Sequence, residues 1–438
     1  MVRVGHANGM SSPLGTSSRP WTWVPSLYLV QGIPYAVVTA VSVVFFKNMG
    51  LSNAEVALYT SWLNLPWVIK PLWSPLVELL GTRRHWVLIM QLVLGGGMAA
   101  LALTLPLGLF PMVTLVLLWL LAFASATHDI AADGFYMLGL AEDQQAFFSG
   151  IRSLFFRLAM LLGQGGVVML AGVLELWLDT VVLAWMLTFG ALGLLLLTVG
   201  VYHLFRLPRP AADIRVPWRG WRIVGRESLA TYRTFFTKPA ILSFLGFLLF
   251  YRFAEAQLIR LASPFLLDPV EVGGLAMTTV EVGFVYGTVG VGALILGGVT
   301  GGFMIARYGL GKMLWPMVCA INLPNALYLI LALLQPQQMA VVLLCVALEQ
   351  LGYGFGFSAY MLVMIYIARG VTRTAHYALC TGFMALGMMI PGMWSGSLQE
   401  SLGYPLFFGW IMLCTVPGFL VVAWVKIDPD FGTRQDVK

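Results

Sequence analysis

Charged side chains are scarce in this sequence: 25 Lys and Arg and 19 Asp and Glu in 438 residues, 10% of the chain, against 59% hydrophobic residues and a mean hydropathy of +0.86. A water-soluble core cannot use that much apolar surface without exposing it, so a soluble globular fold is excluded and the bilayer must be the solvent. Cysteine is nearly absent too. Cys319, Cys345, Cys380 and Cys414 are scattered through apolar spans, too few for a disulfide framework, and read as small buried hydrophobes. No Cys/His cluster has metal-ligand spacing, no Gly-x-Ser-x-Gly turn occurs and no Gly-Lys-Ser/Thr loop is present, so neither a metal nor an organic cofactor nor nucleotide hydrolysis is indicated. The first twenty residues are rich in Gly and Ser and lack a long apolar core, which leaves the first helix to act as the insertion signal.

What the chain does have is a run of apolar spans. Crossing about 30 Å of hydrocarbon takes about 20 helical residues, and such spans are expected near Trp23 to Phe46, Glu55 to Leu76, Trp86 to Leu105, Met112 to Met137, Phe147 to Leu170 and Val181 to Leu204. A second set follows at Ala240 to Leu267, Thr278 to Ala306, Met313 to Leu334, Met339 to Ile367, His376 to Leu398 and Leu406 to Lys426. The two sets flank one basic stretch, Arg206 to Lys238, and share an internal likeness. Leu51-Ser52-Asn53-Ala54-Glu55-Val56-Ala57-Leu58-Tyr59 answers Met277-Thr278-Thr279-Val280-Glu281-Val282-Gly283-Phe284-Val285, and a short basic turn follows each, Arg83-Arg84 in one and Arg307 with Lys312 in the other. The expected fold is an all-α membrane protein of about twelve transmembrane helices in two parallel six-helix halves, suited to alternating access around a midplane site. Its parts are an N-terminal tail (1–22), a first bundle (23–204), a basic linker (205–238), a second bundle (239–426) and a C-terminal tail (427–438).

Lys and Arg in short loops resist translocation. Arg3, Arg19, Arg83, Arg84, Arg307, Lys312, Arg369, Arg373, Lys426, Arg434, Lys438 and the basic linker fall on one side, which places both termini in the cytoplasm. The other side keeps Lys47 but mostly carries acids: Glu55, Glu175, Asp179, Asp268, Glu271, Glu281 and Glu400. The net charge of +6 follows from this asymmetry and calls for no nucleic-acid partner; Trp218 and Trp221 beside Arg219 and Arg222 suit a segment lying on anionic lipid.

An ionisable side chain at a helix centre costs about 2.5–3.5 kcal/mol on insertion scales, so each one needs a partner, a water path or a task. Asp129 and Asp133 share a face of the fourth span beside His128 and could exchange a proton or meet a cation; equally, ion pairs with neighbouring helices could hold the bundle together. Arg252 and Glu255, three apart in the seventh span, could neutralise each other or exchange partners as the bundle moves. Lys70 ends an apolar run among prolines. Arg157, inside the fifth span, could offer its donor fork to a substrate anion or answer Asp129, whereas Arg152 reads as interfacial. Gln31 with Tyr35, Asn64, Asn322, Asn325 and Glu349 with Gln350 could line a cavity for hydroxylated or amide-bearing solutes, or serve as interhelical glue. The glycines of the fifth and tenth spans suit close packing.

With these residues in view, the chain resembles the major facilitators, and among them the AmpG-like muropeptide permeases and the related acetyl-coenzyme A transporters. The resemblance runs from about Tyr28 to Phe419. It is carried by Gly32 with Pro34, Lys70 with Leu72-Trp73-Ser74-Pro75, Ser125 with Asp129-Ile130 and Asp133, Arg157-Leu158 with Met160-Leu161, and Tyr251-Arg252 with Glu255. Glu281-Val282-Gly283, Glu349 with Gly352, Gly354 and Ser358-Ala359, and Pro391-Gly392 complete it. Two places depart from the pattern. After the second helix Glu78 is followed by Leu79, with the basic pair delayed to Arg83-Arg84, and in the fourth helix His128 and Gly134-Phe135 stand where the family often has Gln and Trp.

The resemblance implies a proton-coupled importer of cell-wall recycling products, anhydro-muropeptides or related amino sugars, in the bacterial inner membrane. Asp129, Glu255 and Asp133 are the candidates for proton coupling. Arg157, Lys70, Gln31, Tyr35, Asn64, Arg252 and Glu349 are the candidates for substrate binding, and Glu78, Arg83, Arg84, Arg307, Pro391 and Gly392 for conformational gating. Expected partners are a small-molecule substrate and membrane lipid, with the chain acting as a monomer and the proton as its coupling ion. Rival readings are a carrier of another solute, such as an acyl-coenzyme A, an oligosaccharide or a peptide, and an intramembrane enzyme on lipid-linked sugars with Asp129 and Asp133 as acid and base.

Overall fold

The computed structural model describes residues 20–428, except 109, 141, 212, 215–220 and 371–372, together with residues 431–432. Most of the N-terminal tail, Arg3 and Arg19, the Trp218-Arg219 segment with Arg215, and Arg434 and Lys438 therefore lie outside the described residues, as do the side chains of Glu78, Trp221, Arg222 and Arg373.

Helices dominate, and no strand occurs among the described residues. In chain order they are α1 (Pro20–Asn48), α2 (Asn53–Trp62 continued by Leu65–Leu79), α3 (Arg83–Leu107), α4 (Met112–Gly139), α5 (Gly150–Leu178) and α6 (Val181–Arg206). A linker helix, Trp221–Phe236, leads to α7 (Ile241–Leu267), α8 (Thr279–Tyr308), α9 (Leu310–Leu334) and α10 (Met339–Ala368). The final run, Ala375–Trp424, breaks at Gly403 (φ 71°, ψ 164°), giving α11 (375–402) and α12 (404–424). Ten described runs are long and apolar enough to cross a membrane; how many crossings that makes depends on how α2 and the break at Gly403 are counted.

The internal likeness has a physical meaning. The Ser52 hydroxyl accepts from the Glu55 amide at 3.3 Å while the Glu55 carboxylate accepts from the Ser52 amide at 3.0 Å; Thr278 and Glu281 repeat the exchange at 3.3 and 2.8 Å. Each is a capping box that satisfies the first free amides of a helix. One opens α2 and the other α8, the second helix of each half. Glu55 and Glu281 are therefore helix caps.

α1 and α7 are enclosed by their neighbours, while most other spans keep an apolar stripe for lipid. The two halves meet along α2 with α11 and α5 with α8. At these seams glycine is required. A Cβ on Gly287 of α8 would stand 2.1 Å from the Gln164 carbonyl of α5, and one on Gly396 of α11 would stand 2.0 Å from the Asn53 carbonyl of α2. Widened π turns interrupt α1 (Val37–Val41), α5 (Leu162–Val167) and α8 (Gly283–Gly290) where these helices pack together, a feature that frees backbone carbonyls for other donors.

Gly287→Ala should therefore force α5 and α8 apart at a backbone contact, lowering stability by about 1–3 kcal/mol. Gly302→Ala, inside α8 where a Cβ meets nothing within 4 Å, should leave thermal unfolding in detergent unchanged or raise its midpoint. Equal melting temperatures for the two variants would contradict the seam.

Candidate functional site

In the first half, α4 presents a polar ladder. Asp129 accepts from Lys70 of α2 at one oxygen and from Gln31 of α1 at the other. One turn along, Asp133 accepts from the Tyr28 hydroxyl at 3.1 Å and from the Arg152 guanidinium of α5 at 3.1 Å. Arg152 lies 4.8 and 5.1 Å from the ring centres of Tyr28 and Tyr136, so two aromatic faces hold it as well. The Lys70 and Asp129 side chains are 19% and 23% exposed, inside the bundle but not sealed. The alternative in which Arg157 answers Asp129 is not what forms: Lys70 takes that place. Arg152, expected at the interface, is the partner of Asp133, because α5 begins early enough to bring it under α4.

Behind the ladder His128 turns away from Asp129. It joins a buried chain in which Gln91 lies 3.1 Å from His128 Nε2 and 2.9 Å from His203 Nδ1, and His203 Nε2 lies 2.8 Å from the Ser26 hydroxyl. This chain ties α1, α3, α4 and α6 together.

The second half keeps its charges differently. α7 breaks at Tyr251-Arg252, between helical segments Ile241–Phe250 and Phe253–Leu267. The break removes the helical spacing on which a pair between Arg252 and Glu255 depends, and that expected pair does not form. Arg252 instead donates to the Tyr353 hydroxyl of α10 and lies 4.8 Å over the Phe357 ring. Glu255 is 2% exposed, and its Oε2 has no hydrogen-bond partner. Glu349, 1% exposed, accepts from Gln350 at 3.0 Å and leaves Oε1 unpartnered. The two glutamates lie within electrostatic reach of each other, and neither has an ion pair among the described residues. Arg260, two turns beyond Arg252, donates to the Thr39 carbonyl at 3.3 Å, a group inside the widened turn of α1.

Tyr35 stands between these two sets, stacked edge-on against Trp67 at 5.2 Å and within electrostatic reach of Arg252, Arg260 and Asp129. Arg157 lies half-buried at the α8–α10 crossing, beside Gly298. The other expected residues have local tasks. Asn64 donates to the Thr60 and Ser61 carbonyls at 3.1 and 3.2 Å, stitching the interruption in α2, so its amide donor serves its own helix and not a solute. Arg83 and Arg84 receive the Asp213 carboxylate on their backbone amides at 2.7 and 3.0 Å, and the Arg84 guanidinium donates to the Leu204 carbonyl at 2.7 Å. Those bonds fasten α3 to α6 and the linker. Arg307 is exposed over Tyr308. Gly392, after Pro391, does face the other half: a Cβ there would meet the Ser61 hydroxyl at 2.5 Å.

Sequence reasoning missed the clasp at the end of the bundle away from the linker. Lys47 of α1 pairs with Asp268 of α7 at 2.6 Å and donates to Asn53 at 2.7 Å. The Asn53 amide nitrogen lies 3.0, 2.7 and 2.9 Å from Asp268, Gln399 and Tyr404, and Tyr404 donates to Asp268 at 2.6 Å. Beside it, Asn48 of α1 donates to Thr279 of α8 at 2.8 Å, and Thr279 donates to Glu175 of α5 at 3.0 Å. An open recess of about 610 Å³ lies among these groups. The available signal was the lone Lys47 among acids on that side.

The sequence pattern of the BT1 family matches residues 31–247. A Haemophilus influenzae protein is 25% identical over 412 residues, covering 90% of this chain and 92% of its own length. The anhydromuropeptide permease of Escherichia coli K12 is 25% identical over 401 residues, covering 90% of this chain and 77% of its own. Among solved structures, the nucleoside transporter NupG superposes with a TM-score of 0.68 at 15% identity, covering 92% of this chain and 97% of that one. The fold is that of the major facilitators. The E. coli relative is a permease and NupG a transporter, which sets the enzyme reading aside.

Removing one member of the ladder pair should cost more than removing both. Lys70→Met or Asp129→Asn alone should lower stability by about 3 kcal/mol, with the double variant recovering most of the loss in a double-mutant cycle of thermal unfolding; additive losses would contradict the pairing. At the far end, Asn53→Ala should loosen the clasp. In a chain whose native cysteines are replaced, a cysteine at Gln164 should react several-fold faster with an impermeant thiol reagent supplied from that end, and an unchanged rate would contradict a role in closure.

Proposed function

We propose that this chain, a membrane transporter of the major facilitator type related to the AmpG permease, is a proton-coupled importer of the bacterial inner membrane that brings anhydro-muropeptides or related amino sugars into the cytoplasm. Both termini then lie on the cytoplasmic side, and the clasp of Lys47, Asn53 and Asp268 closes the periplasmic end. The cargo and its direction come from the likeness to the E. coli permease.

The observation that carries proton coupling is the contrast between the halves. Asp129 and Asp133 each form an ion pair, whereas Glu255 is buried with no ion pair among the described residues, only the longer-range field of Arg252, and with an oxygen left unpartnered. Charge in such surroundings costs several kcal/mol unless it is compensated. Loss of a proton from Glu255 is therefore favoured by the arrival of water or by a closer approach of Arg252, which would tie proton release to movement of the bundle. Glu349 is its electrostatic neighbour and joins it in the coupling set. Asp129, held by Lys70, changes partner only when α2 and α4 shift.

Purified protein in liposomes should accumulate labelled anhydro-muropeptide when the outside is made acidic, and collapse of the gradient should release it. Glu255→Gln should abolish accumulation while leaving exchange of internal for external solute intact, and Asp129→Asn should abolish accumulation as well. Uptake that survives collapse of the gradient removes the coupling. Absence of uptake alongside transport of an acyl-coenzyme A, an oligosaccharide or a peptide reassigns the cargo.

A further inference from the structure

The interior holds more cations than its acids neutralise. Lys70 and Arg152 have carboxylates, but Arg157, Arg252 and Arg260 form no ion pair among the described residues. Arg252 and Arg260 are 8% and 3% exposed, and the Nε of each lacks a hydrogen-bond partner. A buried guanidinium without a counter-charge costs several kcal/mol. Arg260 is such a group, Arg252 has only the field of Glu255 without a contact, and the half-buried Arg157 adds a third cation with no ion pair, so the region carries a demand for negative charge.

The placement is also informative. Arg260 lies against α1, its guanidinium at 3.3 Å from the Thr39 carbonyl, and Arg252 lies against α10 through Tyr353. Tyr35 of the first half is within electrostatic reach of both. Arg157 enters from the first half at the α8–α10 crossing, where a Cβ on Gly298 would come within 3.4 Å of its Nη1 and 3.8 Å of the Gly354 carbonyl. A glycine there leaves room for the guanidinium. Arg252 and Arg260 are eight residues apart, roughly 12 Å along the axis. A planar donor fork suits carboxylate and phosphate oxygens.

We propose that Arg157, Arg252 and Arg260 form a binding site for the anionic groups of the transported solute, shared between the two halves and shaped for an elongated molecule with at least two carboxylates or phosphates. The inference rests on reading the interior as the transport path, but not on the cargo being a muropeptide. Protonation of Glu255 removes the carboxylate charge within reach of Arg252, so loading of protons favours loading of the anion. An uncharged sugar leaves that demand unmet.

A solute-free measurement comes first. Arg260→Met in purified, detergent-solubilised protein should melt at the same temperature as the wild type or higher, because it removes an uncompensated charge; a melting temperature lower by several degrees would mean a structural arginine and overturn the proposal. Thermal shift then compares three probes at equal ionic strength: anhydro-muropeptide with free carboxylates, the same compound with its carboxylates amidated, and inorganic phosphate. The free acid should bind the wild type at least tenfold more tightly than the amidated form, and Arg252→Met and Arg260→Met should erase that difference. Equal binding of the two forms, or a preference that survives Arg260→Met, overturns the site. Phosphate matching the free acid overturns its assignment to the solute. If neither muropeptide form shifts the wild type, arginine-dependent stabilisation by another organic polyanion, such as a tricarboxylate or coenzyme A, supports the anion site while removing the proposed cargo; no shift with any anion overturns both.

Discussion

Compensation of buried charge is the constraint on which this molecule depends. In hydrocarbon every backbone polar group must be satisfied within the chain, and every ionised side chain must find a partner or stay costly. The first half meets that requirement for its acids with the Lys70–Asp129 and Arg152–Asp133 pairs, each reinforced by a neutral donor, Gln31 or Tyr28, and leaves only Arg157 without an ion pair among the described interior charges. The second half does not. Glu255, Glu349, Arg252 and Arg260 are more deeply buried, yet oxygens and nitrogens among them have no partner. The acids of one half are therefore settled in ion pairs, while the charges of the other half are left with electrostatic needs of their own.

Much of this was legible in the sequence because membrane spans announce themselves by length and hydropathy. The expected spans lie close to the observed helices, from Met112 to Met137 against Met112–Gly139, and Met339 to Ile367 against Met339–Ala368. The interior acids were equally visible, since an Asp or Glu in an apolar run is conspicuous. Their partners were not. Arg152 looked interfacial because its sequence neighbourhood is near a loop, and only the approach of α5 to α4 reveals its pairing with Asp133. The Arg252–Glu255 spacing suggested an intrahelical pair, but spacing predicts contact only in an unbroken helix, and α7 breaks at that point. The clasp at the far end was hidden for another reason: Lys47, Asn53, Asp268, Gln399 and Tyr404 come from five segments and carry no local signature.

The seams explain how such a molecule can move as two bodies. Along α5 and α8, Gly165 faces Thr288 and Gly287 faces the Gln164 carbonyl, so backbone meets backbone with few side chains interlocked. Small residues drive close packing where no hydrophobic force holds helices together, and they also leave smooth surfaces. The widened turns of α1, α5 and α8 sit in this region, and the turn in α1 supplies the carbonyl that Arg260 uses. A feature that bends the helices thus also connects the halves electrostatically.

Magnitudes decide whether one solute and its protons can open the clasp. Its hydrogen bonds contribute about 0.5–1.5 kcal/mol each, and the Lys47–Asp268 pair, 16% and 9% exposed, adds a term of the same order after desolvation. Driving a two-state equilibrium from one side to the other takes about 5.5 kcal/mol of differential binding. Neutralising a guanidinium contributes to that shift only as far as the anion is held better in one conformation than in the other. In the proposed cycle the clasp holds one end of the empty protein closed and yields when the interior charge changes. A fully paired interior, with Arg252 joined to Glu255 as the sequence suggested, would have left nothing for the solute or the proton to correct, and the two halves would have had no electrostatic reason to exchange one seam for the other.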